Sequence, residues 1–312
     1  MKLNKIKLAL GFVTAAAMAM PIVASAAADQ EKAMKNSANW AHPRGQHDNQ
    51  AYSKLTQINK GNVKNLKAAW TLSTGVNRGH EGSPLVIGNM LYVHTAFPNN
   101  VYALDLNNNQ KVVWSYFPKQ DPSVQAVLCC DNVNRGLGFG NGKIFLQQND
   151  GNLVALNAKT GAKVWSTLNT DPKVGATNTN APHVINDKVL TGCSGAEFGV
   201  RCFIAAYNIE DGSLAWKAMS TGPDSEVLIG ADFNKENPLY SALSVYEDVN
   251  GGNVEGGSFK RIPNDQLQGG VADLGLKTWL KPQAVKDGWQ HGGGSVWGWW
   301  PYDAKTNLVY YG

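Results

Sequence analysis

The chain has 312 residues, 33 glycines, 10 tryptophans and a formal net charge of +4. Lys2, Lys5 and Lys7 carry three of those charges in front of an apolar run from Leu8 to about Ala24, so a product lacking residues 1–26 has a charge of +1. A nucleic-acid partner thereby loses its main electrostatic support. The remaining residues, about 286, suffice for a large core, and their glycine and tryptophan content points to a turn-rich all-β protein.

The charged start, apolar middle and small-residue site Ala24-Ser25-Ala26 read as a secretory signal cleaved after Ala26. The alternative, a retained membrane anchor, is disfavoured because Gly11 and Pro21 interrupt a run already short for a span. No cysteine marks a lipid-anchored product. Export places the chain where disulfides persist, and residues 27–312 are read as one domain.

Gln46–Thr56 is polar, and Ile58–Leu66 leads into Ala68-Ala69-Trp70. A repeat follows. Tyr102-Ala103-Leu104-Asp105 runs to Trp114, Val154-Ala155-Leu156-Asn157 to Trp165 and Ala205-Ala206-Tyr207-Asn208 to Trp216, so these tryptophans are 51 and 51 residues apart, with Trp70 44 before the first. A period near 50 with short strands in each unit is the signature of a β-propeller. The spacing predicts strands at 84–87, 91–94, 101–104 and 112–116, and again at 137–140, 144–147, 153–156 and 164–166. Each closing tryptophan offers a flat face to the neighbouring blade. Four or so blades are counted, and Tyr302–Tyr311 starts another copy that Gly312 cuts short. We therefore expect a fragment of something about twice as long.

Cys129 and Cys130 are adjacent. A trans peptide holds their Cα atoms near 3.8 Å, against roughly 5.5 Å for an ordinary disulfide. Two fates stay open: a strained ring forming a rigid sulfur-rich wall, or two cysteines with separate partners. Other polar islands are Gly79–Pro84, Asn178–Pro182, Gly192–Gly199 and Gly292–Trp299. An acid, an arginine, hydroxyls and a flat aromatic suit a planar, multiply anionic ligand.

Four features carry a resemblance: Cys129-Cys130-Asp131-x-x-Asn134-Arg135-Gly136, Cys193-Ser194-Gly195-Ala196-Glu197-x-Gly199-Val200-Arg201, Gly292-Gly293-Gly294-x-x-Trp297-Gly298-Trp299 and the tryptophan repeat. The chain resembles the pyrroloquinoline-quinone (PQQ) alcohol dehydrogenases, and most closely the large subunit of methanol dehydrogenases. The resemblance implies an eight-bladed β-propeller, about half of it present. It also implies a bridge between Cys129 and Cys130 over one face of the quinone, with Trp297 supporting the other. Glu81, Arg135, Thr179, Ser194, Gly195, Ala196 and Ser295 fall to the cofactor's polar edge, and Glu197 to an adjacent calcium or lanthanide ion. A carboxylate is a hard ligand for either ion.

The resemblance further implies periplasmic oxidation of small primary alcohols to aldehydes, electrons passing to a cytochrome c, and a homodimer or small-subunit complex. A non-catalytic scaffold of the outer-membrane assembly type and an inactive truncated product are the alternatives. The family's catalytic aspartate and remaining metal ligands lie beyond Gly312, so no catalytic base is assigned and the chain alone is expected to be inactive. Ser295 stands where threonine is more usual, and Cys202 where glycine is. A bridge or two free thiols are both open to Cys193 and Cys202. The stretch 246–290 reads as a surface insertion.

Overall fold

The protein is described by a computed structural model covering residues 28–128, 130–222, 245–248, 259–262 and 292–312. The signal segment, Cys129 and most of the expected insertion lie outside the described residues. Among the described residues, no helix is long and apolar enough to cross a membrane.

Helix α1 (Ala28–Lys35) precedes a short polar strand, β1 (His80–Ser83). Three antiparallel meanders then follow the repeat. The first is β2 (Leu85–Ile87), β3 (Met90–His94), β4 (Val101–Asp105) and β5 (Lys111–Tyr116). The second is β6 (Asn134–Gly140), β7 (Lys143–Gln147), β8 (Asn152–Asn157) and β9 (Lys163–Leu168), to which β1 adds in parallel along β6. The third is β10 (His183–Ile185), β11 (Lys188–Thr191), β12 (Phe203–Asn208) and β13 (Leu214–Met219). Two hairpins complete the described strands: β14 (Val245–Asp248) with β15 (Phe259–Ile262), and β16 (Tyr302–Asp303) with β17 (Leu308–Val309).

The repeat has a specific packing cause. Ala103, Ala155 and Ala206 face Trp114, Trp165 and Trp216 across the last strand pair of each meander, and the ladder shifts register directly after each alanine. A small residue opposite the indole leaves room for the ring, and the bulge adds twist. Trp114 Nε1 donates to Ala158 O at 3.0 Å, and Trp165 Nε1 to Ile209 O at 3.1 Å, each carbonyl lying in the next meander. The turn below each ring carries a glycine at left-handed φ, Gly161 at 72° and Gly212 at 71°, where a Cβ would come within 2.5 and 2.6 Å of the indole. Only glycine satisfies both demands.

Strand alternation stacks the meanders. On β7, Ile144 and Leu146 join the cluster of Leu85, Tyr92 and Trp114, while Phe145 between them joins Trp165, Val184 and Phe203. Successive side chains point to opposite faces, so one strand serves two interfaces. Burying each such side chain contributes about 2–3 kcal/mol. Leu190, Ile204 and Ala206 pack on Val296 and Trp300, which brings the segment after residue 291 against the third meander.

Three four-stranded meanders stand among the described residues. Two features depart from the sequence reading. Trp70 is 42% exposed, and Lys67–Thr74 forms no strand among the described residues; its far end is tied to the first meander by Tyr102 OH, which donates to Thr74 O at 2.9 Å. Residues 28–47 act as a brace without any repeat signal. Asp29 accepts from Asn141 N and Gly142 N at 2.7 Å each, tying α1 to the β6–β7 turn. Trp40 exchanges backbone bonds with Val86, and His42 Nε2 lies 3.2 Å from His183 Nδ1. His183 stacks on Trp300 at 4.7 Å.

Candidate functional site

The site is built around Arg135, the second residue of β6. Every residue of that strand is buried. Asn134 secures its start: its side-chain amide donates to Gln147 O at 2.8 Å, and its Oδ1 accepts from Gly136 N at 3.0 Å. Strand β1 lies alongside, with His80 opposite Asn134 and Ser83 opposite Gly136, which brings Glu81 into range. The approach requires glycine at 82, where a Cβ would fall 2.5 Å from the His94 ring and 2.6 Å from the Arg135 carbonyl carbon.

The guanidinium is satisfied from several sides. Nη2 lies 3.1 Å from Glu81 Oε2. Nη1 donates to Thr179 Oγ1 at 2.6 Å and to Thr179 O at 3.2 Å. The Thr179 hydroxyl continues to Ser194 Oγ at 3.2 Å, and the guanidinium carbon sits 4.5 Å from the centre of the Trp297 ring. The Arg135 side chain is 5% exposed and that of Glu81 44%. Burial pulls the arginine below its usual pKa, and the Glu81 charge opposes that pull. A buried cation needs paired, geometrically sound partners of this kind.

Thr179 and Ser194 are set by an amide ladder. Thr177 and Ser194 exchange backbone bonds at 3.1 and 2.9 Å. Asn178 Nδ2 donates to Gly192 O at 2.6 Å and Thr191 Oγ1 at 2.9 Å. Beyond Ser194 the chain makes one 3₁₀ turn, Ala196–Phe198, between left-handed Gly195 and Gly199. Glu197 on that turn is exposed. Among the described residues it makes no hydrogen bond or ion pair. Ser295 is adjacent to Val296, whose backbone exchanges bonds with Cys193 at 2.8 and 3.1 Å.

Cys130, Asp131 and Asn132 take φ values of 61°, 59° and 56° in succession, a left-handed run that non-glycine residues seldom hold. Their surroundings hold them there. Asn132 O accepts from Phe97 N at 3.1 Å, Asn132 Nδ2 donates to Gln125 Oε1 at 3.1 Å, and Asp131 pairs with Arg78 at 3.2 Å. Cys130 is disulfide-bonded. Cys193 and Cys202 bond each other, so neither is its partner, and Cys129 falls outside the described residues.

Of the residues singled out in the sequence, Glu81, Arg135, Thr179, Ser194 and Trp297 form one contiguous group. Gly195, Ala196 and Ser295 border it along the chain, while Glu197 stands apart from its hydrogen-bond network. Sequence reasoning missed Trp299, whose Nε1 donates to Arg135 O at 3.1 Å, and Arg44, which lies 5.0 Å above the Trp299 ring. Trp299 is the last residue of the glycine-tryptophan motif, so the signal was present; Arg44 carried none.

The donor set suits a planar anion. It combines a buried guanidinium, two hydroxyls and an indole that remains 43% exposed while carrying the arginine. Glu81 within the group and Glu197 on the neighbouring 3₁₀ turn are both exposed carboxylates, the hard oxygen type that calcium-like ions take. No cluster of three or more His, Cys, Asp or Glu side chains suited to a metal occurs among the described residues.

Comparison with known proteins defines the class. Residues 40–237 match the family described as "PQQ: Glucose/ethanol/alcohol dehydrogenase, beta-propeller domain", and the chain belongs to that family. It is 45% identical over 284 residues to methanol dehydrogenase (cytochrome c) subunit 1 of Methylorubrum extorquens, covering 89% of this chain and 40% of the relative. To the lanthanide-dependent methanol dehydrogenase of the same organism it is 46% identical over 292 residues, with coverages of 93% and 43%. A solved europium-containing methanol dehydrogenase superposes with a TM-score of 0.74 at 44% identity, covering 91% of this chain and 44% of that one. The chain thus spans about two fifths of the length of these relatives, and its meanders are blades of a quinoprotein-type β-propeller.

Proposed function

We propose that this chain forms the quinone-gripping half of a PQQ-dependent alcohol dehydrogenase. In this reading the protein acts in the periplasm on small primary alcohols of the methanol class and passes their electrons to a cytochrome c. The observation that carries the reading is Arg135: a buried guanidinium held by Glu81 and Thr179 and stacked on a half-open indole. A scaffold propeller gains nothing from such a group, because burying a charge is costly when it serves only stability.

Arg135, Thr179 and Ser194 would hold the quinone's carboxylates and carbonyls, with Gly195, Ala196 and Ser295 lining the same edge. Trp297 would support one ring face and a Cys129–Cys130 bridge the other. Glu197 would give one oxygen ligand to Ca²⁺ or a lanthanide. When bound, the quinone supplies a two-electron acceptor and the ion a Lewis acid. The protein's own contribution is positioning. Glu81 fixes the guanidinium, the Thr179 hydroxyl relays that geometry to Ser194, and the buried surroundings strengthen each charged hydrogen bond by excluding water. The base that removes the alcohol's hydroxyl proton has no counterpart among the matched positions.

The test uses the full-length protein isolated from the cells that make it, supplied with PQQ and either Ca²⁺ or La³⁺. Alcohol-dependent reduction of an artificial dye, dependent on both additions and lost in Arg135→Leu, supports the reading. A protein that takes up neither quinone nor metal refutes it in favour of the scaffold.

A further inference from the structure

The loop bearing Glu197 poses a positioning problem that the rest of the site does not solve. Its single 3₁₀ turn is flanked by Gly195 at φ 114° and Gly199 at φ 82°, both conformationally permissive. The turn's internal bonds are Phe198 N to Gly195 O, Gly199 N to Ala196 O and Val200 N to Gly195 O, at 2.9 to 3.2 Å. One such turn is marginal by itself. Glu197 is solvent-exposed and lacks a partner among the described residues, so neither burial nor hydrogen bonding orients it.

The loop's two ends are treated differently. Cys193 and Cys202, nine residues apart in sequence with Cα atoms 5.3 Å apart, are joined by a disulfide. Both are fully buried, in the cluster that includes Phe145, Leu153 and Phe203. The backbone also anchors these ends: Cys193 bonds to Val296, Cys202 N donates to Gly293 O at 3.1 Å, and Cys202 O accepts from Ser220 N at 3.0 Å. The Gly293 anchor sits on permissive backbone, since Gly293 and its neighbour Gly294 both have left-handed φ, 115° and 64°. The disulfide is the direct link between the ends, seated in rigid core.

We propose that the Cys193–Cys202 bridge is a positioning device for the Glu197 carboxylate. It closes the base of the loop so that the carboxylate is presented in a narrow range of orientations and meets a hard cation with little ordering left to do. Cross-linking a short loop removes alternatives from the open ensemble, and preorganisation of that kind appears as ligand affinity. The inference rests on the reading of Glu197 as a metal ligand. It goes further by assigning a role to a covalent bond whose second cysteine stands at a position expected to be glycine.

The test is a double-mutant cycle on the quinone-loaded full-length protein, with Tb³⁺ as the probe and its sensitised luminescence as the readout. Measurements are made well below each variant's unfolding midpoint. Cys202→Gly should weaken Tb³⁺ binding by about tenfold while leaving quinone retention unchanged. In a Glu197→Gln background the same change should have no further effect, because the bridge acts through that carboxylate. A bridge that only stabilises the fold would lower the unfolding midpoint and leave the Tb³⁺ affinity of the folded protein untouched, which would overturn the proposal. Equal weakening in both backgrounds would overturn it too. If Glu197→Gln itself leaves binding unaltered, the metal reading fails and the proposal with it. If Glu197→Gln weakens binding and Cys202→Gly does not, the positioning role alone is wrong. Should Cys202→Gly not fold, Cys202→Ala, which adds less backbone freedom, completes the same cycle.

Discussion

Arg135 and Thr179 are joined three times: Arg135 N donates to Thr179 O at 3.2 Å, and Nη1 donates to the same carbonyl at 3.2 Å and to the hydroxyl at 2.6 Å. The first bond links two meanders through the backbone, and the others fix the cation's direction. Thr179→Val keeps the shape and removes only the hydroxyl. A hydrogen bond to a charged group contributes about 1.5–3 kcal/mol, so denaturant unfolding should show a loss near 2 kcal/mol, with weaker quinone retention. A loss under about 0.5 kcal/mol would mean that the Thr179 carbonyl and Glu81 suffice.

The docking turns permit a separation of backbone strain from steric clash. Gly142 has φ 64° and open space where a Cβ would sit, whereas Gly161 has φ 72° with the Trp114 ring within 2.5 Å of that position. Gly142→Ala should cost about 1–2 kcal/mol, the left-handed penalty alone. Gly161→Ala should cost at least about 1 kcal/mol more, because the indole must shift in a packed core. Thermal unfolding of the two variants makes the comparison, and equal losses would show that the tryptophan is loosely seated.

Stability should decline in mild acid because several histidines are buried in neutral form. Desolvation lowers the pKa of His94 to about 4 and of His183 to about 3, and holds His42 well below 6.5. Below pH 6.5 the unfolded chain binds protons that these folded imidazoles refuse, so stability falls as pH drops from about 6.5 towards 4, by up to about 1.4 kcal/mol per pH unit for each such group. Above pH 6.5 their contribution is complete. Urea unfolding across pH 4–7 measures the slope, and His94→Leu should reduce it by roughly one group's worth.

Trp297 and Glu197 should fail in different ways. Trp297→Leu removes the ring beneath Arg135 and should mainly speed quinone loss on gel filtration. Glu197→Gln changes an exposed carboxylate without partners among the described residues, so it should leave thermal stability within about 0.5 kcal/mol while reducing activity, with excess metal at best partly rescuing it. Normal turnover and quinone retention in both would remove these residues from the site.

Much of this architecture was legible because repetition writes itself into sequence. Strands expected at 101–104 and 144–147 form at 101–105 and 143–147, since alternating apolar residues and glycine or asparagine turns leave little choice of register. Arg135 and Ser194 stood out because they fall inside long motifs, and Thr179 only because it sits in the polar island Asn178–Pro182. What failed lacked periodicity. Strand β1 is polar and glycine-containing, and exists because β6 offers it a free edge. The brace of α1, Trp40 and His42 is specified by single long-range contacts, such as Asp29 on the β6–β7 turn, that no local pattern announces. The fate of Cys193 and Cys202 depended on a fold-level distance that spacing alone does not give.

The central claim is that Arg135 and its neighbours hold a quinone. It is tested most directly by the PQQ content of protein isolated from its producing cells, measured by absorbance for the wild-type chain and for Arg135→Leu at matched folded fraction. The account predicts close to one quinone per wild-type chain and at least a tenfold weaker retention in the variant, as expected on losing a charge-assisted contact of about 1.5–3 kcal/mol. Equal quinone content in the two proteins, or none in the wild type, would contradict it.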